Sequence, residues 1–280
     1  MKRRDFFAAA TGAITGMTAG LAYAQQGGTQ KLGNIGLQLY TLRDMMKRSV
    51  PHTLEAAAKA GYKEVEFAGY FNVSARQIRK LLDANGLSSP SAHIQTTDLG
   101  ATWESTLEDA TIIGHTYLTL AWIDAAERTL DGYKRIAGRL NEAGAKAAEE
   151  GVQVAYHNHA YGFEEIAGQV PYEIFLRETD PRHVVMEADV FWMRQANEDP
   201  LAWFERYPGR FHMLHLKDMG PPPKKEMLDV GKGVIDWKTL LSRSKAAGVR
   251  HYFVEHDEPR DAIASIRSSY RYLRALTFPV

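Results

Sequence analysis

The chain of 280 residues contains no cysteine and has no excess of either charge, with 34 basic and 34 acidic residues. The lack of cysteine excludes disulfide bonds, thiolate metal ligands and thiol nucleophiles. A chain without net charge has no overall electrostatic attraction for nucleic acid or for an anionic membrane. We therefore expect no nucleic-acid partner and no stable membrane association after removal of the signal described next. Hydrophobic residues make up 45% of the chain, which is enough for a large packed core.

The first 24 residues have the pattern of an export signal. Residues 2–4 are basic, residues 6–21 are weakly apolar, and residues 22–24 (Ala-Tyr-Ala) fit a small-x-small cleavage site. The paired arginines before Asp-Phe-Phe resemble a bacterial twin-arginine signal. A membrane helix is the alternative, but three glycines interrupt a stretch that is short for a span. We expect a twin-arginine-type signal peptide at 1–24, a linker at 25–33, and a periplasmic or otherwise exported mature protein.

From residue 34 onward, short apolar runs alternate with stretches of helical spacing. The apolar runs predict strands at 35–39, 63–67, 91–95, 116–121, 152–157, 183–189, 211–216 and 251–255. Helical spacing predicts helices at 52–60, 74–85, 127–150, 171–178, 237–247 and 260–275. Ser74 and Asp236 are candidate N-caps, and Gly61, Gly86 and Gly248 follow helices where a C-terminal glycine is expected.

Eight strands alternating with helices over about 250 residues form the pattern of a (β/α)₈ barrel. We therefore predict an α/β protein with a single TIM-barrel domain at residues 34–280. A doubly wound open sheet is the alternative. It would require a Gly-rich phosphate turn after the first strand, which the sequence LQLYTLRD lacks. The longest connection, residues 217–236, contains three prolines and three glycines and is predicted to be an irregular loop.

Polar residues recur near the ends of the predicted strands, on the side that faces the barrel axis. Alternation along each strand turns the following side chains inward: Gln38, Glu66, His93, His157, His159, Glu187, Asp189, His215, Lys217, Glu255 and Asp257. TIM-barrel active sites lie at the C-terminal strand ends. His157, Asp189, His215 and Glu255 stand there on four consecutive strands, so we predict that they bind one divalent metal ion. Such ligands suit Mn²⁺, Co²⁺, Ni²⁺, Fe²⁺ or Zn²⁺. The alternative is that each is an ordinary hydrogen-bonded polar residue.

Six motifs resemble the xylose isomerase-like TIM-barrel superfamily, the sugar phosphate isomerase/epimerase group that is related to inosose dehydratases. They are IGLQLYTLRD, YHNHAYGFE, MEADVFWMRQANEDP, HLKDM, GKGVIDWKTLL and FVEHDEP. The resemblance implies one divalent cation held by Glu, Asp, His and Glu at the ends of strands five to eight. Asp189, His215 and Glu255 match the last three ligands. The glutamate of strand five falls at or near His157, with His159 and Glu164 as the neighbouring alternatives.

The resemblance implies a divalent-metal-dependent sugar isomerase or epimerase that acts through an enediolate or enolate, and the signal at 1–24 implies that it is exported. Such an epimerase uses two carboxylates to move the proton, and one of this pair would be imidazole here. A carbon–oxygen lyase or hydratase, which eliminates water or an aglycone from a keto-sugar or keto-polyol, is therefore the alternative. A non-catalytic sugar-binding barrel is the second alternative. The expected partner is a small carbohydrate, and the sequence leaves the question of a homo-oligomer open.

Within this interpretation, Glu255 is expected to take the proton α to a carbonyl. Lys217 would stabilise the oxyanion or protonate a leaving oxygen, and Glu66 would serve as a second acid or base. The candidates for substrate contact are His93, His159, Trp122, Trp192 and Lys232. Six of these residues have a structural alternative, namely an ion pair for Lys217, an interior network for Glu66 and His93, core packing for the tryptophans, and a helix start for Lys232.

Overall fold

Eight parallel strands pair in chain order, and the last strand pairs with the first, so that the sheet closes into a barrel. The computed structural model describes residues 28–280; the predicted signal peptide at 1–24 lies outside the described residues. The strands are β1 (Gly36–Gln38), β2 (Glu64–Phe67), β3 (Ser88–Ile94), β4 (Tyr117–Leu120), β5 (Gln153–His157), β6 (Val184–Asp189), β7 (Phe211–Leu216) and β8 (His251–Val254). All eight predicted strands are present, and the TIM-barrel fold is confirmed.

Strand β3 differs most from its predicted bounds, because it begins at Ser88 rather than at residue 91. The segment Ser-Ser-Pro has no apolar alternation, so the sequence pattern does not indicate a strand there. Its pairing with β2 shifts by one residue between the pairs Glu64–Ser88 and Glu66–Ser91. The irregularity accommodates Pro90, which has no N–H to contribute to a regular ladder.

Ten α-helices are found within the described residues, and they include all six helices that were predicted. They are α1 (Arg43–Arg48), α2 (Val50–Ala60), α3 (Ala75–Asn85), α4 (Trp103–Ile113), α5 (Leu130–Glu149), α6 (Pro171–Glu178), α7 (Val190–Gln195), α8 (Pro200–Arg206), α9 (Trp237–Ala247) and α10 (Ala262–Ala275). Ser74 and Asp236 cap α3 and α9 through their side chains, as expected. No helix within residues 28–280 combines the length and the apolar character needed to cross a membrane.

The barrel interior has an apolar floor beneath its polar mouth. The side chains of Tyr117, Ala155, Val185, Met213 and Phe253 form a buried cluster inside the closed sheet. The alternate residues of the same strands, such as those at 154, 156, 184 and 186, belong to the larger core between strands and helices. The predicted alternation is therefore confirmed, and it turns the polar residues at the strand ends toward the axis.

Two short antiparallel pairs of strands lie outside the barrel. Thr29–Gln30 pairs with Phe278–Pro279, and Asp218–Met219 pairs with Met227–Leu228. The predicted linker at 25–33 therefore contains a strand in its described part. A strand of two residues is too short to be recognised from alternation, which needs at least about four residues.

The connection that follows β7 is largely irregular, as predicted, apart from its one short pair of strands, and Asp218 holds it in place. The Asp218 carboxylate accepts hydrogen bonds from the backbone N–H of Gly231 at 2.8 Å and from Trp237 Nε1 at 2.8 Å. A Cβ atom at Gly233 would lie 2.2 Å from Asp218 Oδ1, so only glycine fits there. One buried carboxylate thus fixes the return of the loop, which a count of prolines and glycines could not indicate.

His115 links the start of β3 to the loop after β2 and gives a pH-dependent contribution to stability. Its Nδ1 lies 2.7 Å from the Ser89 carbonyl oxygen, and its Nε2 lies 2.9 Å from Tyr70 Oη. Burial lowers the pKa of His115 to about 4, although the hydrogen bond to Ser89 acts in the opposite direction. The imidazole of the folded chain therefore stays neutral between pH 4 and about 6.5, whereas the same imidazole in an unfolded chain, with a pKa of about 6.5, is protonated in this range.

We expect the contribution of His115 to be complete above about pH 6.5 and to be lost as the pH falls toward 4, because the unfolded state binds the proton first. Between pH 7 and pH 5 the loss is about 2 kcal/mol. Urea denaturation of the wild type and of His115→Asn at both pH values measures it. The variant is expected to be less stable at pH 7 but to have a shallower dependence on pH. Equal pH dependence in the two proteins would contradict this assignment.

Candidate active site

A cavity of about 1080 Å³ opens at the C-terminal ends of the barrel strands. The sequence-predicted residues that line it are His93, Trp122, His157, His159, Trp192, Lys217 and Glu255. Glu66, Asp189 and His215 lie beneath this lining with no exposed surface. The predicted site residues therefore occupy two layers, one that faces the cavity and one that supports it. Glu164, the alternative to His157, also lines the cavity.

Three imidazoles converge on one carboxylate oxygen below the cavity. Glu187 Oε2 lies 3.0 Å from His93 Nε2, 3.0 Å from His157 Nδ1 and 3.2 Å from His215 Nε2. We call these four residues the inner cluster. Their donor atoms lie within 4.8 Å of one another, close enough to share one metal ion.

Glu187 was not among the predicted ligands, although alternation turned it inward. The predicted set had one ligand per strand, and Asp189 already represented strand β6. The register could have identified Glu187, because β5 and β6 pair His157 directly with it.

Glu66 and Gln38 complete the inner side of the site. Glu66 Oε2 lies 2.6 Å from His215 Nε2 and accepts a hydrogen bond of 2.8 Å from Gln38 Nε2. Burial would raise the pKa of Glu66, but the nearby His93 and His215 outweigh this effect and lower the pKa well below its ordinary value. Glu66 is therefore an ionised member of an interior network and does not line the cavity, which makes direct contact with substrate difficult.

Lys217 lies at the centre of a second group. Its Nζ atom is 2.7 Å from Glu255 Oε2, 2.9 Å from Asp257 Oδ1 and 3.0 Å from Asp189 Oδ2. We call these four residues the lysine cluster. His215 joins the two clusters, because its Nδ1 lies 2.8 Å from Glu255 Oε2 while its Nε2 faces Glu66 and Glu187.

The lysine cluster contains buried charges that stabilise one another. Burial would lower the pKa of Lys217, but the carboxylates of Asp189, Glu255 and Asp257 raise it well above its ordinary value. Burial would raise the pKa of Glu255, but Lys217 and His215 outweigh burial and lower it. For Asp189, burial prevails over Lys217 and raises the pKa to about 6. The resting pair at the cavity is thus a Lys217 ammonium and a Glu255 carboxylate.

The four site histidines form two pairs: carboxylates raise the pKa of His93 and His215, whereas burial lowers the pKa of His157 and His159. Burial would lower the pKa of His93, but Glu66 and Glu187 raise it to about 9. His215 is likewise raised by Glu187, Glu255 and Glu66 against the effect of burial. Burial, followed by the charge of Lys217, lowers the pKa of His159 to about 3. His159 is therefore a neutral imidazole that faces the cavity.

An aromatic wall on one side of the cavity surrounds His159. Its ring centroid lies 5.1 Å from that of Trp122, 5.4 Å from that of Trp192 and 5.4 Å from that of Tyr161. His159 Nδ1 and Trp192 Nε1 are buried without a hydrogen-bond partner among the described residues. Trp122 is 42% exposed, which is unusual for so large a side chain. Flat apolar faces combined with unpaired donors and acceptors suit a ring with hydroxyl groups.

Lys232 is the one predicted site residue that the structure places elsewhere. Its Nζ atom lies 2.7 Å from Asp229 Oδ2, and 58% of its side chain is exposed. It does not contribute to the cavity lining formed by the described residues. Its position in the loop that Asp218 fixes, outside the barrel mouth, accounts for this difference.

The donor atoms fit a divalent metal ion of the transition series. The four predicted ligands supply two imidazoles and two carboxylates, and Asp189 Oδ2 has no well-aligned hydrogen bond. This oxygen lies 3.8 Å from His157 Nε2 and 3.9 Å from His215 Nδ1. Two groups of donors come together, the inner cluster and the set of Asp189, His215 and Glu255. Both groups contain imidazole, which suits Zn²⁺, Fe²⁺, Co²⁺ or Ni²⁺ better than Mg²⁺ or Ca²⁺.

A family profile described as xylose isomerase-like TIM barrel matches residues 54–276. The chain belongs to this family. Curated relatives include an inosose dehydratase from Lacticaseibacillus casei, which is 27% identical over 158 residues, or 51% of this chain and 52% of the relative. The chain thus matches about half the length of such relatives.

Solved structures extend the comparison to nearly the whole barrel. A sugar phosphate isomerase/epimerase from Parabacteroides distasonis is 26% identical. It superposes with a TM-score of 0.76, and the match covers 88% of this chain and 95% of that chain. An IOLI protein with a binding zinc atom shares the fold at 16% identity, with a TM-score of 0.68 over 85% of this chain and 96% of that chain. The homologues are thus sugar-modifying enzymes, of the dehydratase and isomerase/epimerase kinds.

Removal of the Lys217 charge is expected to destabilise the barrel strongly. Lys217→Met would leave three carboxylates near one another without their ammonium, at a cost of about 3–5 kcal/mol in the free energy of unfolding. Lys232→Met is the matched control, because its exposed ion pair contributes less than about 1 kcal/mol. Chemical denaturation of both variants measures the difference. Similar losses in the two variants would show that Lys217 does not balance the buried charge.

Proposed function

We propose that this protein is a divalent-metal-dependent carbon–oxygen lyase that acts on a keto-sugar or keto-polyol. The observation that carries the proposal is the pair of Glu255 and Lys217 at the cavity, a carboxylate and an ammonium 2.7 Å apart. Strand β5 ends with His157 and supplies no second carboxylate there. One base beside one acid suits elimination. Epimerisation instead requires proton transfer on the two opposite faces of the substrate carbon.

In the proposed reaction, Glu255 takes the proton from the carbon next to the carbonyl, and the electron pair of that C–H bond forms an enolate. The C–O bond at the following carbon then breaks, and Lys217 donates a proton to the departing oxygen. The proton on Glu255 can return to Lys217 across their hydrogen bond, which restores both groups. A divalent metal ion held by side chains that include His157 and His215 would polarise the carbonyl and stabilise negative charge.

The cavity favours a substrate without phosphate groups. Arg43, Lys217 and His93 are its basic residues; three carboxylates neutralise Lys217, and His93 faces Glu66 and Glu187. Four further carboxylates line the cavity, those of Asp98, Asp109, Glu164 and Glu258. An acidic lining repels phosphate and accepts neutral hydroxyl groups. A neutral sugar also agrees with the export that residues 1–24 suggest, and we keep a periplasmic location as part of the proposal.

Sugar isomerisation or epimerisation is the second candidate. The solved sugar phosphate isomerase/epimerase from Parabacteroides distasonis favours it, because the likeness covers 88% of this chain. Both reactions begin with removal of the same proton, and the neutral His159 could accept or return a proton from the aromatic side of the cavity.

We expect the metal-loaded protein to incorporate solvent deuterium next to the carbonyl of an inosose or a keto-glycoside in D₂O, followed by loss of water or the aglycone. Glu255→Gln should slow this exchange by at least about 100-fold, because a positioned base contributes about 10²- to 10⁴-fold. NMR spectroscopy follows both exchange and products. Glu258→Gln is the matched control, since Glu258 lines the same cavity but is exposed.

The products separate the candidates. An unsaturated or dehydrated product supports the lyase, and a rearranged sugar without elimination supports the isomerase. Absence of exchange with every carbonyl substrate, although these ligands bind, would indicate a non-catalytic sugar-binding barrel and contradict the proposal.

Trp122 is expected to contribute to substrate binding more than to the chemical step. Its indole is 42% exposed and lies beside His159. Trp122→Ala should raise KM by about 3- to 10-fold, the value of one aromatic contact, with little change in kcat. Steady-state kinetics of Trp122→Ala and the conservative Trp122→Phe test this. An unchanged KM in Trp122→Ala would remove Trp122 from the substrate site.

A further inference from the structure

We infer that the metal ion is held by the inner cluster, His93, His157, Glu187 and His215, rather than by the set of His157, Asp189, His215 and Glu255. The inference rests on the proposed function only in that the chain takes a divalent metal. Both sets contain His157 and His215, so they differ in two members each. His93 and Glu187 distinguish the inner cluster, whereas Asp189 and Glu255 distinguish the other set.

The spacing of the donor atoms favours the inner cluster. A tetrahedral ion with metal–nitrogen distances of about 2.0–2.1 Å separates its ligand atoms by about 3.3 Å. Glu187 Oε2 lies at 3.0–3.2 Å from the three imidazole nitrogens. In the other set, Asp189 Oδ2 lies 3.8 Å and 3.9 Å from the two histidines. Glu187 Oε2 therefore lies at about the ligand–ligand spacing of such a site from each of the three nitrogens, and all four donor atoms lie within 4.8 Å of one another.

The distribution of positive charge favours the same cluster. Lys217 already contacts Asp189 and Glu255 at 3.0 Å and 2.7 Å, so a cation between these carboxylates would lie beside an ammonium. Glu66 and Glu187 are fully buried, and no lysine or arginine among residues 28–280 forms an ion pair with them. Two carboxylates without a permanent counter-charge can be balanced by one divalent ion.

An outer partner completes the argument. Glu66 Oε1 and Glu187 Oε1 are buried without hydrogen-bond partners among the described residues, but so is Asp189 Oδ2, so the unpaired oxygens do not distinguish the two sets. A metal-binding histidine usually gives its other ring N–H to a carboxylate, which fixes the orientation of the ring. His215 Nδ1 lies 2.8 Å from Glu255 Oε2 while its Nε2 faces the inner cluster. Glu255 thereby supports the metal-binding histidine and remains free of the metal itself.

The inner position also has access to the cavity. His93 and His157 line the cavity, and Glu187 and His215 lie directly behind them. Three imidazoles and one carboxylate suit Zn²⁺, Co²⁺, Fe²⁺ or Ni²⁺. In the proposed reaction, the ion would then polarise the carbonyl on one side of His215, and the Lys217–Glu255 pair would transfer protons on the other side.

The test is Co²⁺ binding to the full chain, followed by its visible absorption spectrum, metal analysis after dialysis, and X-ray absorption to count the imidazole ligands. The matched pair of variants is Glu187→Gln and Asp189→Asn, each a carboxylate-to-amide change on strand β6. His93→Ala and His159→Ala form a second pair, because only His93 belongs to the inner cluster. Circular dichroism establishes that each variant is folded.

We expect Glu187→Gln and His93→Ala to weaken Co²⁺ binding by at least about 100-fold. Loss of a residue that only hydrogen-bonds a metal ligand already lowers metal affinity by about 10- to 100-fold. Asp189→Asn and His159→Ala should change the affinity by less than about tenfold, and the wild type should show three imidazole ligands. Loss of binding in Asp189→Asn together with normal binding in His93→Ala would overturn the inner cluster but keep a metal enzyme. A wild-type chain that binds no Co²⁺, Zn²⁺ or Fe²⁺ would overturn both this inference and the role of metal in the proposed function.

Discussion

The balance between the Lys217 ammonium and the carboxylates of Asp189, Glu255 and Asp257 is the interaction on which the barrel mouth depends. These charges come from the ends of three neighbouring strands, β6, β7 and β8, so the ion pairs also hold those ends together. Asp189 has a second role, because its Oδ1 accepts a hydrogen bond from Trp192 N and begins helix α7. Breaking one partner of such a buried group leaves the others uncompensated, which is more costly than never having formed the group.

The inner cluster and the neighbouring Glu66 balance their charge in another way. Glu66 and Glu187 face imidazoles, which can be neutral ligands or protonated cations, whereas the carboxylates of the lysine cluster face a group that stays protonated. His215 contacts both groups, Glu187 through its Nε2 atom and Glu255 through its Nδ1 atom. A single ring therefore connects the place where a metal fits with the place where a proton can be removed.

Much of this arrangement could be predicted from residue spacing, because a closed parallel barrel brings every second residue of each strand to the axis. The sequence predicted all eight strands, and it placed His157, Asp189, His215 and Glu255 at one rim. It did not indicate that Glu187 gathers three histidines, since depth along the axis depends on register and side-chain length. Lys232 was misplaced for a related reason, because the path of the loop after β7 is set by Asp218, whose contacts are distant in sequence. Short strands such as Thr29–Gln30 carry too few residues for any pattern.

The size of the cavity has a consequence for how the site handles water. Its 1080 Å³ corresponds to on the order of 35 water molecules at about 30 Å³ each. A single sugar ring would displace only part of this water, and the remainder would keep the local dielectric high and weaken the attraction between a developing negative charge and Lys217. A ligand that carries a second ring would empty the space over the aromatic wall as well. The part of the ligand that does not react would then close the cavity and exclude water from the reacting carbon.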